Sequence, residues 1–288
     1  MGKMDFGVVT IIGTGLIGGS IGLGLKERGL TDLVIGVGHR QASIKKALEM
    51  KAIDAGTVNI DKAVSRADII ILATSVDLIP GFARKAIPLM KKSAILTDVG
   101  SAKKYIVSQI NKTIKDNHKG NNLNFIGAHP LAGSEQRGIE YATSDLFVES
   151  VCIITPAKQN TKRSVTKISN MWKALGANIS ILTPLEHDET VAFVSHLPHL
   201  AATGLTNVIK GKQWGFAANG LKDTTRVASG DPKLWINICK QNKPKIIKAL
   251  RLFSEEIIST LNALEEENDK KILNKLKKAK TVRDKFVT

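Results

Sequence analysis

The sequence has 288 residues, of which 43% are hydrophobic and 24% charged, and its formal net charge is +16. That length allows two cored domains, and that composition excludes a disordered or fibrous chain. Two distant cysteines, Cys152 and Cys239, exclude a disulfide framework and a thiolate metal site, and fit a reducing, cytoplasmic compartment.

Three further classes are set aside before the elements are read. The N-terminus lacks a basic segment followed by an apolar core and a cleavage site, so no secretory leader is expected. Val8 to Leu25 is uncharged but carries six glycines, and it reads as a strand and then a helix rather than a membrane span. The lysines are scattered and aromatics make up only 5%, whereas nucleic-acid binders cluster basic charge beside stacking aromatics. The charge is therefore read as a solvated surface, with no nucleic-acid partner.

The first element, "VVTIIG" (8–13), is a β-branched run that opens on Gly13-Thr14-Gly15-Leu16-Ile17-Gly18 and a helical pattern. Gly13 suits a tight turn, Gly15 a close approach of backbone to a pyrophosphate, and Gly18 close helix–strand contact. With Leu16 and Ile17 these residues form the expected phosphate cradle at a helix N-terminus. The next strand, "LVIGV" (33–37), identifies the dinucleotide. An NAD site commonly ends this strand in a carboxylate for the ribose, but here Gly38, His39 and Arg40 follow, and Asp32 comes too early. Arg40, with His39 and the Ser43 hydroxyl, suits a 2′-phosphate, so NADP is favoured over NAD.

Further strands are expected at "DIIILAT" (68–74), ending in Thr74, at "AILTDV" (94–99), followed by Ser101, and at "NFIGAH" (124–129), ending in His129. "SVCIITP" (150–156) and "ANISILT" (177–183) complete the set. Nearly all-apolar runs alternating with helical patterns predict a parallel sheet covered on both faces. Thr183, Pro184 and Glu186 then make a helix start with a capping box, and only helical periodicity follows. The expected organisation is an α/β Rossmann-type domain over residues 1–183 and an all-α domain over 184–288.

Polar residues stand where an open α/β sheet presents ligands, at the carboxyl ends of its strands. The segments are "TDVGSAK", "GAHPLAGSE", "HD…SHLPH" and "KDTTR…DPKLW". With "GTGLIGGS" and "ITP" before and between them, this ordered set resembles the prephenate and arogenate dehydrogenases over roughly residues 8 to 235. The resemblance implies NAD(P)-dependent oxidative decarboxylation on the route to tyrosine, and a homodimer formed through the helical domain. His129 would be the base for the ring hydroxyl, and Ser101 would bridge that hydroxyl and the nicotinamide. Arg226 would hold a substrate carboxylate, His199 the substrate side chain with His196 nearby, and Ser134 and Glu135 would shape the pocket.

Each position also has a plainer role. His196 and His199 can satisfy backbone groups freed at Pro198, Arg226 can pair with Asp223, and Trp235 is read as core or interface. The histidine spacing around His187 lacks a zinc-protease pattern, so no metal is expected. Neither a chorismate-mutase region before residue 8 nor an ACT-type domain after residue 288 is expected, which would leave tyrosine feedback to the active site. The competing readings are a β-hydroxyacid-type dehydrogenase, which would need a catalytic lysine in the helical domain, and a dinucleotide-binding protein without chemistry.

Overall fold

The computed structural model describes residues 5–117, 123–133 and 136–286; Ser134 and Glu135 lie outside them. The chain begins β1 (Val8–Ile12), α1 (Leu16–Glu27), β2 (Leu33–Val37), α2 (Gln41–Glu49), β3 (Ala55–Thr57) and α3 (Ile60–Val64). It continues β4 (Ile69–Leu72), α4 (Ile79–Ala86), β5 (Ile95–Asp98), α5 (Lys104–Asn117) and β6 (Asn124–Pro130). Next come β7 (Val151–Thr155), α6 (Lys162–Ala174) and β8 (Asn178–Ile181). Then only helices follow: α7 (Pro184–Val191), α8 (Leu197–Val208), α9 (Asn219–Thr225), α10 (Pro232–Gln241), α11 (Lys243–Glu265) and α12 (Asp269–Phe286).

The strands form one eight-stranded sheet in the order β3-β2-β1-β4-β5-β6-β7-β8. β1 lies between β2 and β4, so the chain reverses direction across the sheet there, and such a switch point opens a crevice at the strands' carboxyl ends. Both faces are covered. Along β4, Ile69 and Ile71 join one apolar cluster while Ile70 and Leu72 join the other, the two-residue alternation of a strand. Burying each such side chain contributes roughly 1.5–3 kcal/mol.

Two features depart from the sequence expectation. β3 is unpredicted: "AGT" has no β-branched run, and only its pairing with Ile35–Val37 of β2 makes it a strand. β7 runs antiparallel to β6, with Pro130 opposite Cys152, in a sheet otherwise parallel. Among the described residues no crossover helix separates the two strands, so the 20-residue connection (131–150) begins and ends at the carboxyl edge of the sheet. A connection of that length is commonly functional.

Packing divides the chain into two compact units, Met1–Asn242 and Lys243–Thr288. Strands give way to helices at Thr183, where the expected capping box forms: Thr183 Oγ1 accepts the Glu186 N–H and Glu186 accepts the Thr183 N–H. The first unit nevertheless runs on through α10. The second unit is the pair α11 and α12, tied by an ion pair from Lys275 to Glu256 at 2.5 Å. Among the described residues, no helix is long and apolar enough to cross a membrane.

Candidate active site

The turn from β1 into α1 is built by glycine. Gly13 has φ +102°, a conformation that costs a side-chain-bearing residue energy. A Cβ on Gly18 would overlap the carbonyl oxygen of Gly13, so the helix starts close against the strand. The helix N-cap, Gly15, supplies no side-chain cap, and space is open beside its Cα. First-turn N–H groups are thus left for an anion.

This turn borders a cavity of about 1170 Å³, large enough for a dinucleotide with a small substrate beside it. Gly13, Gly15, Leu16 and Ile17 line one end, with His39, Arg40 and Ser43 from the end of β2. Gly18 is buried beneath them. The Arg40 Nε–H donates to His39 Nε2 at 2.8 Å. Thr74, just past β4, also lines the cavity, and its buried Oγ1 has no hydrogen-bond partner. A buried hydroxyl without a partner is costly. It is where a bound dinucleotide would contribute a hydrogen bond, so the residues present fit that cofactor.

The other end is made by side chains. Ser101 and His129 both line the cavity. His129 Nδ1 lies 2.8 Å from His187 Nε2, and His187 Nδ1 lies 2.8 Å from Asp188 Oδ1. Asp188 also accepts the backbone N–H of Lys103 at 2.7 Å and of Lys104 at 3.0 Å, which caps α5. These donors put the Asp188 carboxylate in the acceptor role, so His187 Nδ1 must carry its proton. His187 Nε2 then accepts from His129 Nδ1–H, which leaves His129 Nε2 as the basic nitrogen.

Burial holds the His129 pKa well below its ordinary value, reinforced by His187, Lys103 and His196. Burial also lowers His187, against the raising effect of its bond to Asp188. Beneath these rings Lys103 and Asp98 form a fully buried ion pair at 2.6 Å. Lys103 Nζ also donates to the Gly100 carbonyl, and Asp98 accepts the Gly100 and Ala128 N–H groups. The pair therefore fixes the backbone on both sides of Ser101 and immediately before His129. A neutral imidazole, dry and fixed in one tautomer, is suited to accept a proton.

The helical segments close on this end. A π-helical turn, Ala192–His196, joins α7 to α8 without a break, and it stands just before Pro198, whose ring and missing N–H disturb the regular helix ladder there. His196 is buried with its Nδ1 3.3 Å from Asn242 Nδ2, its Nε2 has no partner, and burial pushes its pKa down to about 4. Asn242 in turn donates to the Asp188 carbonyl. His199 stacks on Trp235 with ring centroids 3.5 Å apart, and burial lowers its pKa. Trp235 packs, partly buried, against one of the two apolar clusters, in line with its core reading, and it also lines the cavity.

The structure thus brings Ser101, His129 and the glycine turn to one cavity, with His39, Arg40, Ser43 and Thr74. It keeps His196 and His199 buried behind the wall. Arg226 opens a short 3-10 turn (Arg226–Ser229), is exposed, and is not among the cavity's lining residues. Sequence reasoning missed the Lys103–Asp98 pair and the role of Asp188. Its signal for the latter was the His187-Asp188 dipeptide just inside the capping box.

The model of the prephenate dehydrogenase nucleotide-binding domain matches residues 21–181, and that of the prephenate dehydrogenase dimerization domain matches residues 183–278. The chain belongs to the prephenate dehydrogenase family. Prephenate dehydrogenase of Bacillus subtilis is 30% identical over 286 residues, 96% of this chain and 75% of that relative. The prephenate dehydrogenase of A. aeolicus, solved with hydroxyphenyl propionate and NAD+, superimposes with a TM-score of 0.88 at 28% identity over 98% of both chains. Synechocystis arogenate dehydrogenase does so with a TM-score of 0.81 at 29% identity, over 97% of this chain and all of that one. As a family member the chain is an oxidoreductase, and the nucleotide-binding match runs from within α1 through β8.

Proposed function

We propose that this chain is a dehydrogenase that converts prephenate to 4-hydroxyphenylpyruvate and carbon dioxide, with NADP preferred to NAD. The observation that carries the reading is the hydrogen-bonded series Asp188–His187–His129, which ends at the cavity bordered by the glycine turn. A bound nicotinamide supplies the hydride acceptor. As hydride leaves the hydroxyl-bearing ring carbon, the hydroxyl proton passes to His129 Nε2. The ring carboxylate departs as carbon dioxide, its electron pair enters the ring, and the oxygen regains a proton as a phenol. Ser101 orients the hydroxyl, and the buried Lys103–Asp98 pair keeps its loop from moving.

NADP preference is supported by His39 and Arg40 at the cavity, with no carboxylate at the end of β2. Arg226, His199 and His196, with Ser134 and Glu135, are assigned to the substrate's far end on the family resemblance. The same resemblance supports a division near residue 183 and a cytoplasmic homodimer. Exposed apolar residues of α11, among them Ile257, Ile258, Leu261 and Leu264, suit that interface.

One assay crossing prephenate and arogenate with NAD and NADP tests the reading. The highest kcat/KM is expected for prephenate with NADP. A larger value for arogenate would reassign the substrate, and no NAD(P)H formation from either would refute the proposal.

A further inference from the structure

The loop that runs on from His129 carries a guanidinium that the assigned chemistry leaves unused. Arg137 lines the same cavity as His129 and Ser101, and one terminal nitrogen lies 2.7 Å from Asp231 Oδ2. Asp231 is the N-cap of α10, and its other oxygen accepts the Leu234 N–H at 2.7 Å. The helix cap and the ion pair therefore use different oxygens, and releasing Arg137 leaves the cap intact. The pair is not locked by burial, since the Arg137 side chain is 54% exposed, and exposed pairs of this kind hold weakly.

The other lysines and arginines lining the cavity, among the described residues, are Arg40, Lys46 and Lys85. Arg40 and Lys46 belong to the dinucleotide's β2–α2 side, where Lys46 is paired with Glu140 at 3.1 Å. Lys85 is on α4. Arg137 alone of the four is carried by the segment that continues from the basic histidine.

We propose that Arg137 binds a carboxylate of the substrate, which takes the place of the Asp231 carboxylate on the guanidinium. The inference rests on the functional reading above, since it supposes an anionic substrate beside His129. A planar guanidinium suits the exchange, because it can engage one carboxylate with two parallel donors where a lysine offers a single point charge. Asp231 keeps Arg137 near the wall that bears Trp235 until substrate arrives. The exchange keeps the guanidinium paired, and the Asp231 carboxylate it leaves remains on the Leu234 N–H at the N-terminus of α10.

Steady-state kinetics on Arg137→Gln and Asp231→Asn in the full chain separate this from a purely structural tie between loop and helix. Asparagine caps a helix as well as aspartate does, so the second variant removes only the competing charge. Arg137→Gln should raise KM for prephenate roughly tenfold to a hundredfold, with kcat and cofactor KM unchanged. Asp231→Asn should lower that KM, by up to about fivefold. A structural tie would raise KM in both variants, and that result overturns the proposal, as does a wild-type KM in Arg137→Gln. A wild-type chain that does not turn over prephenate overturns both this proposal and the functional reading, which distinguishes it from a failure confined to Arg137.

Discussion

The two ends of the cavity are built on opposite plans. At the glycine turn, function depends on atoms that are missing: no Cβ on Gly18 against the Gly13 carbonyl, and open space at Gly15. At the His129 end it depends on side chains that are present and engaged, from Asp98 and Lys103 to His187 and Asp188. A backbone cradle is specified within six consecutive residues, whereas the His129 end needs segments some ninety positions apart to meet. The first should fail when atoms are added, the second when they are removed.

The largest effect is expected at the second end. His129→Asn should cut kcat by about 10²–10⁴, the span for losing a general base, with the protein still folded by circular dichroism. An unchanged kcat would sink the base assignment. Lys103→Met strands the Asp98 carboxylate in a dry core, and should cost about 3–5 kcal/mol in urea unfolding. A midpoint equal to wild type would show that water reaches the pair.

The glycine turn gives a smaller and split response. Gly18→Ala overpacks helix against strand and should destabilise by roughly 1–3 kcal/mol. Gly15→Ala meets nothing in the protein, so it should leave the melting temperature alone and raise only the cofactor KM. Equal stability losses in both variants would erase the distinction between the two glycines.

The mildest probe is pH. His129, His187 and His196 all have pKa values lowered by burial. The unfolded chain therefore takes up protons at these sites before the folded one does. Stability is fully present above the unfolded histidine pKa of about 6.5 and falls as pH drops below it. For each histidine that stays neutral the slope is about 1.4 kcal/mol per pH unit. Melting temperatures between pH 8 and 5 should decline only in the lower half of that range. The acid limb of kcat/KM, which reports His129 in the free enzyme, should lie below 6.5. A limb at or above 6.5 would contradict the dry environment of the ring.

The same contrast explains what could be read in advance. The strand at 8–12, the glycine turn and the capping box at Thr183 are local patterns, and each is visible in a short window. His129 was legible because a strand end, a proline and small residues mark it. The partners that give His129 its tautomer were not, because Asp188 acts on residues 84 and 85 positions away. Trp235 was read as core or interface and does pack against an apolar cluster, but its stacking on His199 is a tertiary fact that no short window shows. β3 was missed because its three residues are a strand only by virtue of their neighbour.

The cap that Asp188 places on α5 also bears on how the chain folds. The backbone N–H groups of Lys103 and Lys104 gain these bonds only when a segment 85 and 84 residues later has docked. Synthesis that has reached only the end of β8 leaves that helix start unsatisfied. That helix start then sets late, together with α7, and closing so long a loop is slow. A fragment ending near residue 183 should therefore hold its glycine cradle while the start of α5 frays, so that a nascent chain can acquire the cradle before His129 gains its His187 partner.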